Sequence, residues 1–204
     1  MSAEQLTQVW QAFKDNTLAQ ALACLLQPEA ASADGYVHPL DYHLKAIEAS
    51  APQGQQQPVF DRVLNHLGFE VVQRRETLTL PAAFPVLVCA ARLGLLARMQ
   101  TMSWQHLSQR SSFGTKTTRH QLIKASFADV AGKAALLLEQ QHLRLQQADW
   151  AGLEDDHYQI TQLNNEAEKM MGGHGFLLGN THSLSYLSMM LYSVYGKASC
   201  LTAV

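Results

Sequence analysis

From Pro81 onward the chain is a succession of four long helical segments with short connections, and few arrangements other than a bundle can bury all their apolar faces. Apolar residues recur at helical intervals over roughly 82–109, 118–147, 152–171 and 181–195. The first segment opens with the one long apolar run, Pro81 to Met99. Pro85, Arg92 and Arg98 interrupt that run, so a buried helix explains it better than a membrane span. Leu136-Leu-Leu138 and Leu143 read as core positions of the second helix, and the stretch from Met189 to Tyr195 as core packing of the last.

The first 67 residues read as a helical extension of this bundle. Ser2 and Gln5 have capping-box spacing, and Leu6, Val9, Trp10, Phe13, Leu18, Leu22 and Leu25 continue a helix until Pro28. A loop over 28–40 and a short helix over 41–50 follow. The low-complexity stretch 51–58 reads as a linker, and 59–67 as another amphipathic turn closed by Gly68. Residues 68–80 form a connecting segment, and 69–80 carries the only β-like alternation. The expected organisation is therefore extension 1–67, connection 68–80 and bundle 81–204, all-α in class.

Composition removes several functions. A net charge of -2 with no dense Lys/Arg run gives nucleic acid or an anionic membrane no electrostatic hold. The three cysteines, Cys24, Cys89 and Cys200, are too far apart for a CxxC site, and no signal-peptide pattern opens the chain; a cytoplasmic location is expected. No Gly-x-Ser-x-Gly, Walker A or His-Glu-x-x-His motif occurs. Glu139-Gln-Gln-His142 and Glu154-Asp-Asp-His157 have the spacing that di-iron bundles use, but the other two bundle helices offer no carboxylate, so no metal is expected. The Gln-rich surroundings read instead as a solvated hairpin end.

Three short stretches resemble the acyl-CoA dehydrogenase family. Arg110-Ser-Ser-Phe-Gly114, followed by Arg119-His-Gln-Leu-Ile123 and Phe127-Ala-Asp-Val-Ala131, is similar to its central signature. Gly172-Gly-His-Gly-Phe176 is similar to its Gly-Gly-x-Gly-Phe/Tyr loop, and Leu191-Tyr-Ser-Val-Tyr195 to its Ile-Tyr-x-Ile-Tyr segment. The resemblance covers about 80–198. It implies a C-terminal bundle that assembles oligomers and helps hold FAD, with Arg110 on the pyrophosphate of a neighbouring subunit, Phe113 beside the nucleotide and Gln121 as a polar contact. A guanidinium fork suits a diphosphate. Gly172 and Gly173 would let backbone N–H groups approach the nucleotide.

The same resemblance exposes what is missing. Most members carry the α-proton-abstracting Glu directly after the last Tyr, where this chain has Gly196; others carry it at the start of the first bundle helix, here Phe84. No Asp or Glu occurs from Thr77 to Ala128 or after Glu168, which leaves only His174 and His182 as candidate bases. The helix position of an Arg for the CoA moiety has Pro85 and Val86. Eighty N-terminal residues cannot supply both a helical and a β-domain to cradle the flavin ring. The expectation is a non-catalytic subunit that oligomerises, with copies of itself or with an acyl-CoA-dehydrogenase-like partner, and lends FAD contacts to that partner. The alternatives are a flavin-free scaffold or regulatory bundle, and an active FAD-dependent oxidoreductase of acyl-CoA or carrier-protein thioesters with an unusual base.

Overall fold

The computed structural model describes residues 1–27, 36–37, 42–47, 58–73 and 79–197. Four bundle helices, α4 (Phe84–Ser108), α5 (Gln121–Gln147), α6 (Leu153–Met170) and α7 (Thr181–Leu191), stand where the periodicity places them. α4 is the axle. Its first half, Phe84 to Leu96, is buried on every side, including Arg92 at 0% exposure. A helix apolar all round must sit at the centre of a packed layer. α1, α5, α6 and α7 surround it.

At the N-terminus, α1 (Ala3–Asp15) and α2 (Leu18–Leu25) replace the single helix expected up to Pro28. Thr17 breaks it by capping α2 in a reciprocal box with Gln20, a Thr-x-x-Gln signal present in the sequence. α1 lies tight on α4 because Gly94 gives it room: a Cβ there would strike the Trp10 carbonyl and come within 2.8 Å of Phe13 Cβ. Arg98 donates to the carbonyls of Lys14 and Asn16, which the end of α1 leaves without intrahelical partners.

The extension is not purely helical. The short helix expected over 41–50 is corrected to a strand, β2 (Tyr42–Ala46), preceded by β1 (Tyr36–Val37). β2 and β3 (Pro58–Val59) both pair antiparallel with β4 (Phe69–Gln73), with Leu44 opposite Val71, and β5 (Thr79–Leu80) pairs with β1. Pairing to β4, which buries Leu44, overrides the local helical signal. Residues 51–57 of the expected linker lie outside the described residues. Between β3 and β4, α3 (Arg62–His66) is capped by Asp61, whose Oδ1 accepts from the N–H of Val63 and Leu64 at 2.9 Å. The sheet is tied to the end of the bundle by Leu44 N–H, which donates to the Tyr195 hydroxyl at 3.0 Å. One continuous core runs through α1, α2, the sheet and the bundle. No helix among the described residues is long and apolar enough to cross a membrane.

The α5–α6 hairpin is also less solvated than its composition suggests. Arg144, Gln140 and Gln141 all donate to Asp156, Arg144 Nε at 2.6 Å, and Gln141, Arg144, Asp156 and His157 are buried. Conversely, Leu136 and Leu143, expected in the core, face outward at 73% and 53% exposure, while Leu137 takes the buried position. Leu191, Val194 and Tyr195 are core, as expected.

Candidate functional site

Between α4 and α5 the Arg-x-x-Phe-Gly stretch folds as a two-residue hairpin, β6 (Ser111–Ser112) against β7 (Thr115–Lys116). Its central residues, Phe113 and Gly114, have φ of 51° and 77°. Positive φ at both positions is the type I′ requirement, for which Asn-Gly is the favoured pair. Phe in that conformation is strained, at roughly 1–3 kcal/mol. Among the described residues no packing covers the Phe113 side chain, which is 99% exposed. The hairpin itself is pinned: the Arg110 carbonyl accepts from Thr117 N–H and Oγ at 3.0 and 3.2 Å, and the His120 ring reaches the Ser112 carbonyl at 3.3 Å. Gln121 then opens α5, exposed.

Arg110 is exposed, and its Nη1 lies 3.4 Å from His106 Nε2. The His106 ring stacks on His174 with centroids 4.7 Å apart and planes 13° from parallel. His174 belongs to the 3₁₀ turn Gly172–Phe176, so the stack brings the first and second family-like stretches together. Gly172 has φ +65°, and a Cβ on Gly172 or Gly173 would meet nothing within 4 Å, so their backbone is open to an approaching group. Gly175 does a different job. A Cβ there would lie 2.5 Å from Thr181 Oγ and 2.8 Å from the Glu168 carbonyl, so this glycine serves packing. His182 pairs with Glu168 at 3.2 Å and lies against Phe176.

The two base positions also converge. Phe84 packs edge-on against the ring of Tyr195, centroids 6.0 Å apart, and the next residue, Gly196, is buried against His157. Residues Tyr192–Gly196 leave α7 as a π turn, a local widening common at functional positions. A Cβ on Gly196 would sit 2.8 Å from His157 Nε2 and 3.0 Å from Tyr192 Cδ2, so the imidazole fills the space in which a side chain at this position would start.

His157 belongs to a buried network that sequence reasoning missed. Arg92 Nη1 donates to His157 Nδ1 at 2.9 Å and to the His157 carbonyl at 3.1 Å, Nε to Ser188 Oγ at 3.0 Å and Nη2 to Thr161 Oγ at 2.6 Å. The guanidinium also lies over the Tyr192 ring, 5.2 Å from its centroid. Cys89 Sγ is 3.4 Å from His157 Nδ1. Among the described residues no carboxylate hydrogen-bonds Arg92. Burial brings its pKa down to about 10. Burial, with Arg92 alongside, brings His157 down to about 3, and burial pushes the Cys89 thiol up. The His157 lone pair is spent on an arginine, so the imidazole beside Gly196 is neutral and not itself available as a proton acceptor. The only sequence signal was an arginine inside an apolar run. The two Glu-x-x-His stretches do not converge: Glu154 turns outward to accept from the Tyr192 hydroxyl while His157 points into the core. Among the described residues no three His, Cys, Asp or Glu side chains come together as a metal site.

No family model and no curated protein matches this chain. Solved structures do. A steroid ACAD variant, Tcur3481-Tcur3483, aligns over 83% of this chain and 59% of its own at 11% identity, TM-score 0.53. The acyl-CoA dehydrogenase of Geobacillus kaustophilus aligns over 79% of this chain and 47% of its own at 13% identity, TM-score 0.50. A chain from the electron transferring flavoprotein structure of Acidaminococcus fermentans aligns over 93% of this chain and 65% of its own at 12% identity, TM-score 0.52. The fold is thus acyl-CoA-dehydrogenase-like, and the chain spans about half to two thirds of the length of these proteins.

Proposed function

We propose that this chain is a non-catalytic, acyl-CoA-dehydrogenase-like subunit that oligomerises and completes the FAD-nucleotide site of a flavoprotein partner. The observation that carries this reading is the strained Phe113-Gly114 hairpin, which holds an aromatic ring in solvent beside the exposed Arg110. A strained turn held in place by its own hydrogen bonds while its aromatic ring stays uncovered suits an external contact. The residues fit the nucleotide end of FAD: Arg110 for the diphosphate, Phe113 against the nucleotide, Gln121 as a polar contact, and the open backbone of Gly172 and Gly173 for close approach. FAD, when bound, supplies hydride acceptance. This chain's part is to bind and orient, because Phe84 and Gly196 offer no proton acceptor and His157 is engaged with Arg92.

Three exposed leucines on α5, in a row that Asp129 interrupts, support assembly. Leu122, at 82% exposure, Leu136 and Leu143 are two heptads and one heptad apart along α5, a spacing that presents one seam to another helix. That seam would equally serve the flavin-free scaffold. Flavin content separates the readings. The chain should hold flavin when co-purified with a longer acyl-CoA-dehydrogenase-like protein and lose it in Arg110→Ala with its melting temperature unchanged. A stable oligomer without flavin in any company, indifferent to Arg110→Ala, would favour the scaffold. One flavin per chain in isolation, bleached anaerobically by an acyl thioester, would overturn the non-catalytic reading.

A further inference from the structure

We propose that His106, His174 and Arg110 form a proton-linked cradle for a diphosphate, in which protonation of His106 releases Arg110 and all three side chains then close on the anion. The proposal deepens the reading above and rests on it for the nucleotide as the source of the diphosphate.

Arginine can only donate, so the His106 Nε2 that faces Arg110 Nη1 at 3.4 Å must present its lone pair. His106 is therefore neutral in this arrangement, and its proton sits on Nδ1. Protonating Nε2 removes the acceptor and sets an imidazolium against a guanidinium. It also charges one face of a parallel stack only 4.7 Å from the second imidazole. An anion between them is what makes that state favourable.

The charged groups acting on His106 are His174 and Arg110, neither of them an acid, and together with burial they hold its pKa below the ordinary value. The turn Thr117–Arg119, packed on the end of α4, brings another cation, Arg119. α6 also packs on α4, and its last turns carry Glu166, Glu168 and Lys169. Of these, Glu168 is paired with His182, the titratable residue of α7's first turn. Among the described residues no carboxylate hydrogen-bonds or pairs with His106, His174 or Arg110, and a bound diphosphate would neutralise the cluster. Binding then takes up a proton, so affinity falls as pH rises, by roughly tenfold per pH unit for each proton linked.

The test uses the full chain with two probes, FAD, whose diphosphate charge is fixed near neutrality, and inorganic pyrophosphate. Binding is measured by calorimetry at pH 6 and pH 8, and the His106 and His174 ring protons are followed by NMR. Wild type should bind more tightly at pH 6 with proton uptake. His106→Gln should remove that linkage for FAD and flatten it for pyrophosphate to the ligand's own titration. FAD binding that is equally tight at both pH values and lost in Arg110→Ala would overturn the cradle and leave the flavin reading standing. Proton-linked binding of pyrophosphate without FAD would uphold the cradle and show that the isolated chain holds a diphosphate but not the whole nucleotide, leaving the flavin reading to the partner experiment above. Binding of neither probe at pH 6, or an unchanged linkage in His106→Gln, would overturn the cradle.

Discussion

Acidification from pH 7 to pH 5 should destabilise this protein through His157, and the amount can be worked from its surroundings. In the folded chain the imidazole is buried, accepts from Arg92 and has its pKa lowered to about 3 from an ordinary value of 6.5. A histidine depressed in this way is fully stabilising above the unfolded pKa, and the contribution is lost as pH falls below about 6.5 towards 3. At pH 5 the unfolded chain has taken up the proton and the folded chain has not. One and a half pH units at about 1.4 kcal/mol each gives a loss of about 2 kcal/mol. Urea unfolding at pH 7 and pH 5, in wild type and His157→Gln, isolates this residue, because the other histidines contribute alike to both. Wild type should lose about 2 kcal/mol more than the variant. Parallel losses would refute the reasoning and mean that the folded imidazole is protonated, with Arg92 neutralised by some other group.

Two substitutions probe the family-like positions. Gly196→Ala should cost roughly 1–3 kcal/mol in urea unfolding, because its Cβ meets His157 Nε2 at 2.8 Å, and the cost should shrink in a His157→Ala background. The larger Gly196→Glu should unfold the corner rather than install a base, read as a lowered melting temperature with no thioester-dependent flavin bleaching. Phe113→Asn should raise stability by about 1 kcal/mol by suiting the left-handed turn, and at the same time weaken flavin retention in the presence of the partner.

The sequence by itself determined the four bundle helices, because their apolar periodicity is a local property that any partner face will satisfy. It also located the connection between the first two bundle helices in which the Phe-Gly pair lies, and the lack of a carboxylate at Phe84 and Gly196, while the type I′ conformation of that connection came only from the structure. The capping box at Thr17 was legible but hidden under a continuous apolar pattern. Tertiary structure decided the rest. β2 is a strand because β4 lies beside it, and strand preference is set by such neighbours. Leu136 faces out and Leu137 in because helix rotation follows from what packs on α5, which a run of three leucines leaves open. Arg92, His157 and Ser188 sit on three different helices, so no local pattern signals their contact; only the packing of α4, α6 and α7 removes them from water and forces them to satisfy one another. The same holds for His106 and His174, ordinary surface histidines along the chain, which the bundle places face to face beside Arg110.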